Sequence, residues 1–184
     1  DEVKRYPHGH IFDSDVVVRE RDPGCEDRLD CGNDVMMAQL QEVGSQDYRA
    51  MQNTPDYPLR FIPRRHNNFM NSSGHSIRKL NGDKPWNPLW MQPEDMRDAG
   101  VGEGERVRIV TAHEEITAVV EEDETLRPGV VASAHAFGGL VDEDERYREL
   151  GANTGRLVRT DENYDSITGM PLMGNIPVAV YPYR

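Results

Sequence analysis

The stretch Val101–Val120, which reads VGEGERVRIVTAHEEITAVV, decides the fold class of this chain. Within it, Arg106–Val110 alternates charged and apolar residues, and a second strand-like run, Glu115–Val120, follows across Ala112–Glu114. Alternation with a period of two is typical of a strand that buries one face, and a glycine-containing turn precedes the first run. The stretch therefore predicts an antiparallel hairpin within a β-rich fold.

Further short strands are predicted on both sides of this hairpin. They are Leu59–Ile62 (closed by Pro63), Leu89–Met91, Val130–Ala134 and Ile176–Tyr181. A short helix is predicted at Pro93–Gly100, because proline and acids occupy its first turn and glycine follows its last. Several short strands with a small helix between them favour a closed or nearly closed β-barrel. The acidic stretch Val141–Glu149 is interpreted as a surface loop or excursion.

Length and charge limit the number of domains and the kinds of partner. The chain has 184 residues, which suits one domain or one domain with an appendage, and its formal net charge is -12. An acidic surface repels phosphate chains, so we expect no nucleic-acid partner. No stretch reaches the roughly 18 to 20 apolar residues that cross a bilayer. Since the sequence starts at Asp1 without an initiator Met, we interpret it as a piece of a longer protein.

The composition changes near residues 53–58. Residues 1–55 are polar and acidic, and contain one predicted helix, Asp34–Val43, with Asn33 as its N-cap and Gly44 as its stop. Its apolar face needs a surface to pack against, and consists of Met36, Met37, Leu40 and Val43. Residues 56–184 contain all the predicted strands.

The two cysteines and the histidine pair near the start do not predict a metal site. Cys25 and Cys31 have no further cysteine nearby; a local disulfide is possible, but two free thiols in a reducing, cytoplasmic compartment are favoured. His8 and His10 flank Gly9 without a third ligand, which makes a poor site for a metal.

A cationic island interrupts the acidic chain. Between Arg60 and Lys84 the cations are Arg60, Arg64, Arg65, Arg78, Lys79 and Lys84, and the single acid is Asp83. The segment Arg64–His75 combines paired arginines with Asn, Ser, Gly and His. These groups suit a phosphorylated polar small molecule, and the alternative is a solvated basic loop. The connection Arg64–Trp86 is long for a compact domain, and long loops are often functional.

Four ordered sets of motifs resemble the C-terminal domain of the molybdopterin oxidoreductases, the dimethyl sulfoxide reductase superfamily. Arg64-Arg65, followed by Asn71–His75, resembles "RR…NSxxH", and Asn87–Met96 resembles "NPxxxxxPEDA". Val101–Val107 resembles "GIxDGDxV", and Leu126–Val131 resembles "LRPGVV". Gly151–Asn153, followed by Asp165–Pro171, resembles "GANxN…DxxSGxP". Tyr6–Gly9 is similar to the "PHG" of the preceding segment, whereas Gly155 stands where the second Asn of "GANxN" is expected.

The resemblance implies a mainly β fold: a six-stranded double-psi β-barrel with short helices over residues 56–184, preceded by a partly helical connector. Residues 1–55 would connect the barrel to an upstream catalytic domain of the same parent protein. The implied function is binding of bis(molybdopterin guanine dinucleotide), with molybdenum or tungsten, in an oxidoreductase. The metal ligand and any iron-sulfur cluster would belong to the upstream domains, so the chain alone is expected to be inactive.

The resemblance also implies the residues that contact the cofactor. Arg64 and Arg65 would donate to diphosphate or pterin oxygens, because a guanidinium is a planar, permanently charged donor. The neutral contacts would come from His66, Asn71, Ser72, His75, His135 and Asn153. Two of these have plain structural alternatives: Asn71-Ser72 as an ordinary turn, and His135 as a histidine at a barrel rim.

Two other functions remain open at this point. The first is a non-enzymatic interaction module, an acidic β-barrel whose basic loop binds an acidic partner. The second is a small hydrolase that uses His135 with a carboxylate and Ser133 as nucleophile, for which the sequence offers weak support. Convergence of the predicted residues on one concave rim would favour the cofactor.

Overall fold

The computed structural model describes residues 2–10, 22–26, 31–47, 54–82 and 84–184, and everything below concerns these residues. Asp83 of the cationic island and residues 48–53, next to the predicted domain boundary, lie outside them. The strands are β1 (Leu59–Arg64), β2 (Leu89–Met91), β3 (Arg106–Val110), β4 (Glu115–Glu122), β5 (Val130–Ala134) and β6 (Ile176–Pro182). They close into a barrel in the order β1-β5-β2-β4-β3-β6, which confirms the predicted fold class.

Strand direction places the two ends of this barrel. β1 pairs with β5 in parallel, and β2 pairs with β4 in parallel, whereas the other neighbouring strands are antiparallel. The predicted hairpin is β3–β4, in which Arg106 faces Val119 and Val110 faces Glu115. Parallel partners need long crossover connections, so strands distant in the sequence end side by side.

The helices are short and lie outside the barrel. They are α1 (Glu2–Arg5), α2 (Asp34–Ser45), α3 (Arg78–Asn81), α4 (Pro93–Ala99) and α5 (Tyr147–Leu150), with 3₁₀ turns at Val141–Arg146 and Thr154–Leu157. α4 confirms the predicted helix: Pro93 starts it, and Gly100, with φ 67°, ends it in the left-handed region. None of the described helices has the length and apolar character needed to span a bilayer.

Apolar side chains from all six strands fill the barrel. The largest that are completely buried include Phe61 of β1, Met91 of β2, Ile109 of β3, Val131 of β5 and Val178 of β6. β4 departs from simple alternation, since its residues 116–120 are all buried. Its outer face packs under α5 and the 3₁₀ turn Thr154–Leu157, so both faces of this strand leave water.

Several predicted element ends are wrong, since β1, α2, β4 and β6 each continue one or two residues beyond the predicted end. Pro63 does not close β1, which continues to Arg64, because a proline removes only one donor from a strand ladder. Gly44 does not stop α2, which runs to Ser45. The acidic stretch is a surface excursion that folds into the 3₁₀ turn Val141–Arg146 and α5, neither of which has a buried residue.

α2 stands on the surface with its apolar face uncovered by any described residue. Asn33 caps it as predicted, accepting a hydrogen bond from the Met36 amide at 2.9 Å. Its apolar side chains are 39 to 70% exposed, and none of its residues is buried. A hydrogen bond from Gln39 Nε2 to Asp165 Oδ2, at 2.7 Å, connects it to the loop before β6. The packing predicted for this face is therefore not seen among the described residues.

A buried carboxylate fixes the start of β5. Both oxygens of Asp95, in α4, accept from the Gly129 amide at 2.9 Å, which ties the helix to the turn before the strand. Burial raises the pKa of Asp95, while this hydrogen bond acts in the opposite direction. The two cysteines, Cys25 and Cys31, are free and exposed.

Candidate functional site

The candidate site lies where β1 and β5 end together. Arg64, the last residue of β1, pairs with Ala134, the last residue of β5. The segments that follow them, residues 65–77 and 135–139, therefore leave the barrel at the same end. We refer to these two segments as the rim.

Aromatic rings pack at the centre of the rim. Phe137 is buried, and the imidazole of His75 stacks on it with 4.0 Å between ring centroids and an interplanar angle of 21°. The edge of Phe69 meets Phe137 at 5.6 Å, and His66 lies 5.5 Å from both phenyl rings. Contacts between rings at these distances hold the two segments of the rim together.

Asn71 joins the two segments by hydrogen bonds. Its Oδ1 accepts from Arg65 Nη1 at 2.7 Å and lies 2.9 Å from Nε2 of His135. Its main-chain oxygen lies 3.1 Å from Nε2 of His75. Its φ of 52° is in the left-handed region, which asparagine tolerates better than most residues.

The two arginines have different surroundings. Arg64 forms an ion pair with Asp123 and lies over the ring of Trp90, 4.6 Å from its centroid. Hydrogen bonds from the Thr125 hydroxyl and from Arg64 lower the pKa of Asp123 to about 2. Arg65 is exposed and has no ion pair within the described part of the chain. Arg65 therefore keeps N–H donors for a ligand, whereas the charge of Arg64 is already matched.

His66 carries one of the buried polar side-chain atoms that lack a hydrogen-bond partner among the described residues. Burial lowers the pKa of His66 and Arg64 and His75 add to this effect, while Glu121 opposes it, so the neutral ring is favoured. Its Nε2 is inaccessible and has no hydrogen-bond partner among the described residues. Leaving such an atom unpaired costs about 1 to 3 kcal/mol, so a polar group that reached Nε2 would recover this free energy.

Five of the eight predicted site residues line one small cavity in the rim. They are Arg64, Arg65, His66, Asn71 and His135, and the other lining residues are Phe69, Ala134 and Phe137. The cavity holds about 10 Å³, which is room for roughly one water molecule. A larger ligand must therefore lie across the rim, with only a small polar group reaching into the cavity.

The remaining three predicted residues lie around this cavity without lining it. His75 stacks on Phe137 beside it. Ser72 is exposed in the turn and makes no hydrogen bond within the described residues. Asn153 donates from Nδ2 to the Gly139 carbonyl at 2.9 Å and accepts at Oδ1 from the Gly155 amide at 3.1 Å. It supports the second segment of the rim from the neighbouring turn.

The sequence reasoning missed Asn87 as the buried support of this end of the barrel. Asn87 is 1% exposed, and its Nδ2 lies 2.6 Å from the Ala134 carbonyl and 3.2 Å from the Ala152 carbonyl. Its Oδ1 accepts from the Ala152 amide at 2.7 Å. The motif at Asn87-Pro88 contained the residue, but a motif does not state that the side chain is buried.

Asn87 also bears on the hydrolase alternative. Its Nδ2 donates to Oγ of Ser133 at 2.9 Å, and Ser133 is completely buried. A hydroxyl held inside the barrel wall cannot reach a substrate at the rim. The geometry therefore argues against Ser133 as a nucleophile.

Titratable side chains elsewhere do not gather into a metal site. Among the described residues there is no group of three or more His, Cys, Asp or Glu side chains placed to hold an ion. The ring of His10 stacks on Tyr6 at 3.9 Å. The cavity in the rim thus remains the place where the predicted residues meet.

Comparison with known proteins gives a family match, one curated relative and one solved structure with a similar fold. The family described as "Molydopterin dinucleotide binding domain" matches residues 59–177. A tetrathionate reductase subunit from Salmonella typhimurium is 32% identical over 109 residues, 59% of this chain and 10% of that protein. Acetylene hydratase from Pelobacter acetylenicus has the same fold, with a TM-score of 0.58 at 20% identity over 69% of this chain and 18% of that one. The chain spans about a tenth of the curated relative.

Proposed function

Because this chain belongs to the family of molybdopterin dinucleotide-binding domains, we propose that its rim holds one arm of bis(molybdopterin guanine dinucleotide). The parent protein would be a molybdenum or tungsten oxidoreductase. The observation that carries this proposal is the convergence of five predicted residues on one cavity, together with the unpartnered Nε2 of His66.

The donor set of the rim fits such a ligand. Arg65 offers charged N–H groups to diphosphate oxygens, and each charge-assisted hydrogen bond contributes about 1.5 to 3 kcal/mol. His66 offers a buried ring nitrogen, and Asn71, His75 and His135 add a polar edge beside an aromatic surface. A phosphorylated heterocycle needs this combination of cationic, neutral polar and flat apolar groups.

The chain's own residues would bind and orient the cofactor. The bound metal centre would supply the redox chemistry, and the rim would hold the organic part in place. We propose that the 184-residue chain is inactive alone, and that the metal ligand and any iron-sulfur cluster lie in other domains of the parent. Residues 1–55 would then be the connector to those domains. We also propose a reducing, cytoplasmic compartment, in which the thiols of Cys25 and Cys31 would stay free.

The interaction-module alternative is weakened by the pairing of the cations. Arg64 is matched by Asp123, and Lys84 by Glu121, so the basic surface is smaller than the sequence suggests. An acidic protein partner would have to compete with these two carboxylates. A small ligand that uses Arg65 and the imidazoles does not.

The proposal is tested by titrating the ¹⁵N-labelled chain with GDP, CDP and ADP while amide resonances are recorded. GDP is expected to shift rim resonances, and Arg65→Ala to weaken that binding about tenfold. Arg127→Ala is the control, since Arg127 is an exposed arginine just before β5, at the other end of the strand from the rim. The proposal fails if GDP shifts resonances elsewhere, or if both variants bind GDP equally. Shifts at the rim caused only by an acidic peptide would support the interaction module.

A further inference from the structure

We propose that Asn71 is a positioning residue that decides which ring nitrogens of His75 and His135 a ligand meets. The inference rests on the proposed function and adds a specific kind of contact to it. It depends on the hydrogen bonds around Asn71, since each of its two oxygen atoms contacts a histidine of the rim.

Arg65 fixes the orientation of the Asn71 amide. A guanidinium has five donors and no acceptor, so the side-chain atom 2.7 Å from Nη1 of Arg65 must be the carbonyl oxygen Oδ1. The opposite orientation would place an NH₂ group against a cation. Oδ1 therefore also faces His135, at 2.9 Å from its Nε2.

The side chain of Asn71 in turn selects the tautomer of His135, and its main-chain oxygen selects that of His75. Oδ1 only accepts, so Nε2 of His135 must carry the hydrogen. The main-chain oxygen of Asn71 also only accepts, so Nε2 of His75 must carry one as well. In each neutral ring Nδ1 is then the acceptor, and neither Nδ1 has a hydrogen-bond partner among the described residues.

The rim thus offers two kinds of polar group. Arg65 supplies N–H donors, and the Nδ1 atoms of His75 and His135 supply acceptors. A bare diphosphate uses only the donors. A 2-amino-4-oxopyrimidine edge uses both, because it carries N–H groups beside a carbonyl oxygen, and guanine and pterin share this edge. We infer that Asn71 sets the Nδ1 ring nitrogens of His75 and His135 as acceptors, so that the rim matches that edge.

The backbone conformation of Asn71 allows a substitution that removes the side chain alone. Glycine adopts the φ of 52° without strain, so Asn71→Gly removes the side chain and leaves the turn intact. Asn163 has the same φ and lies before β6, beside a different cavity. Asn163→Gly is therefore the matched control. Asn71→Asp keeps an accepting oxygen and restores the contact.

The first test is the ¹⁵N spectrum of the histidine side chains. A hydrogen-bonded imidazole N–H exchanges slowly with water, so the Nε2–H signal of His135 is expected in the native chain, in Asn163→Gly and in Asn71→Asp. In Asn71→Gly it should broaden or disappear, and His135→Gln assigns it. The inference is overturned if the signal persists unchanged in Asn71→Gly or is absent from the native chain.

The second test separates the two sources of the shared edge. GDP carries it on guanine, and 6-hydroxymethylpterin carries it on a pterin. For whichever probe binds, Asn71→Gly should lower the affinity about fivefold, whereas Asn163→Gly should leave the affinity unchanged. Equal binding by Asn71→Gly and the native chain would overturn the inference. If neither probe binds the native chain, the proposed function fails, and the histidine signal still decides the role of Asn71.

Discussion

Asn87 and Asn71 are chemically identical, and both tie the end of β5 to another part of the chain. Asn87 does so inside the protein, where it is 1% exposed and contacts the last residues of β5 and the loop at Ala152. Asn71 does so at the surface, between Arg65 and His135. The burial of each asparagine, and not its residue type, decides whether its hydrogen bonds stabilise the fold or stay available to a ligand.

The difference follows from what can replace each bond. Around Asn87 no solvent is available, so every lost hydrogen bond leaves a buried polar group unpaired. Around Asn71 water or a ligand can take over, so the same loss costs little stability. The buried network therefore holds the end of the barrel in place, and the exposed network can serve a ligand on that support.

The strongest test of this comparison is Asn87→Leu. Leucine fills the space but leaves Ser133 Oγ, the Ala134 carbonyl and the Ala152 amide without partners, so the free energy of unfolding should fall by about 3 kcal/mol. Urea denaturation measures it. A loss below about 1 kcal/mol would mean that the buried network does not hold the barrel end.

Gly151→Ala should disturb the same buried network from its other side. A Cβ at position 151 would stand 2.1 Å from Oδ1 of Asn87, and φ there is 81°. We expect a loss of about 2 kcal/mol in the free energy of unfolding. Gly169→Ala is the control, because its φ is 71° but no atom lies within 4 Å. Equal losses in the two variants would attribute the effect to backbone strain alone.

The ion pair at the rim should give a smaller effect that depends on pH. The pKa of Asp123 is about 2 in the folded chain and below its ordinary value of 3.8, so its contribution is complete above about pH 4 and is lost as the pH falls towards 2. Asp123→Asn should cost about 1 kcal/mol at neutral pH, since Arg64 is partly exposed and water screens the pair. Thermal unfolding at neutral and acidic pH measures it; a constant difference between native and variant would contradict the assignment.

Asn71→Gly should have the smallest effect on stability. Its hydrogen bonds are exposed and its backbone conformation suits glycine, so the free energy of unfolding should change by about 0.5 kcal/mol or less. Urea denaturation beside Asn163→Gly measures this change. A loss comparable to that of Asn87→Leu would show that the two networks do not differ in the way burial predicts.

Sequence patterns predicted the barrel well, because alternation and turn residues are local properties. β2, β3 and β5 have the predicted boundaries, whereas the prediction that β1 ends before Pro63 was wrong. The family resemblance implied a six-stranded double-psi barrel, but the closure order and the two parallel pairs were not predicted. They depend on contacts between strands that are far apart in sequence, such as Arg64 with Ala134.

The prediction of the site was less accurate, because a sequence motif does not specify the burial or the orientation of a side chain. Arg64 and Arg65 are adjacent and alike in sequence, yet within the described ranges only Arg64 contacts a carboxylate, 59 positions away at Asp123. Asn153 was predicted from a motif to contact the cofactor, but its side chain forms hydrogen bonds with the backbone of Gly139 and Gly155. Asn87 was part of a quoted motif, and only the folded chain shows it to be buried.

The position of β6 between β1 and β3 has a consequence for the order of folding. The β3–β4 hairpin joins neighbours in the sequence and can form early, whereas β1 must wait for β5 and β6, which lie far along the chain. The rim grows from the ends of β1 and β5, so it takes shape only after these distant pairings form. Capture of a ligand at the rim would therefore depend on pairings between strands that lie far apart in the sequence.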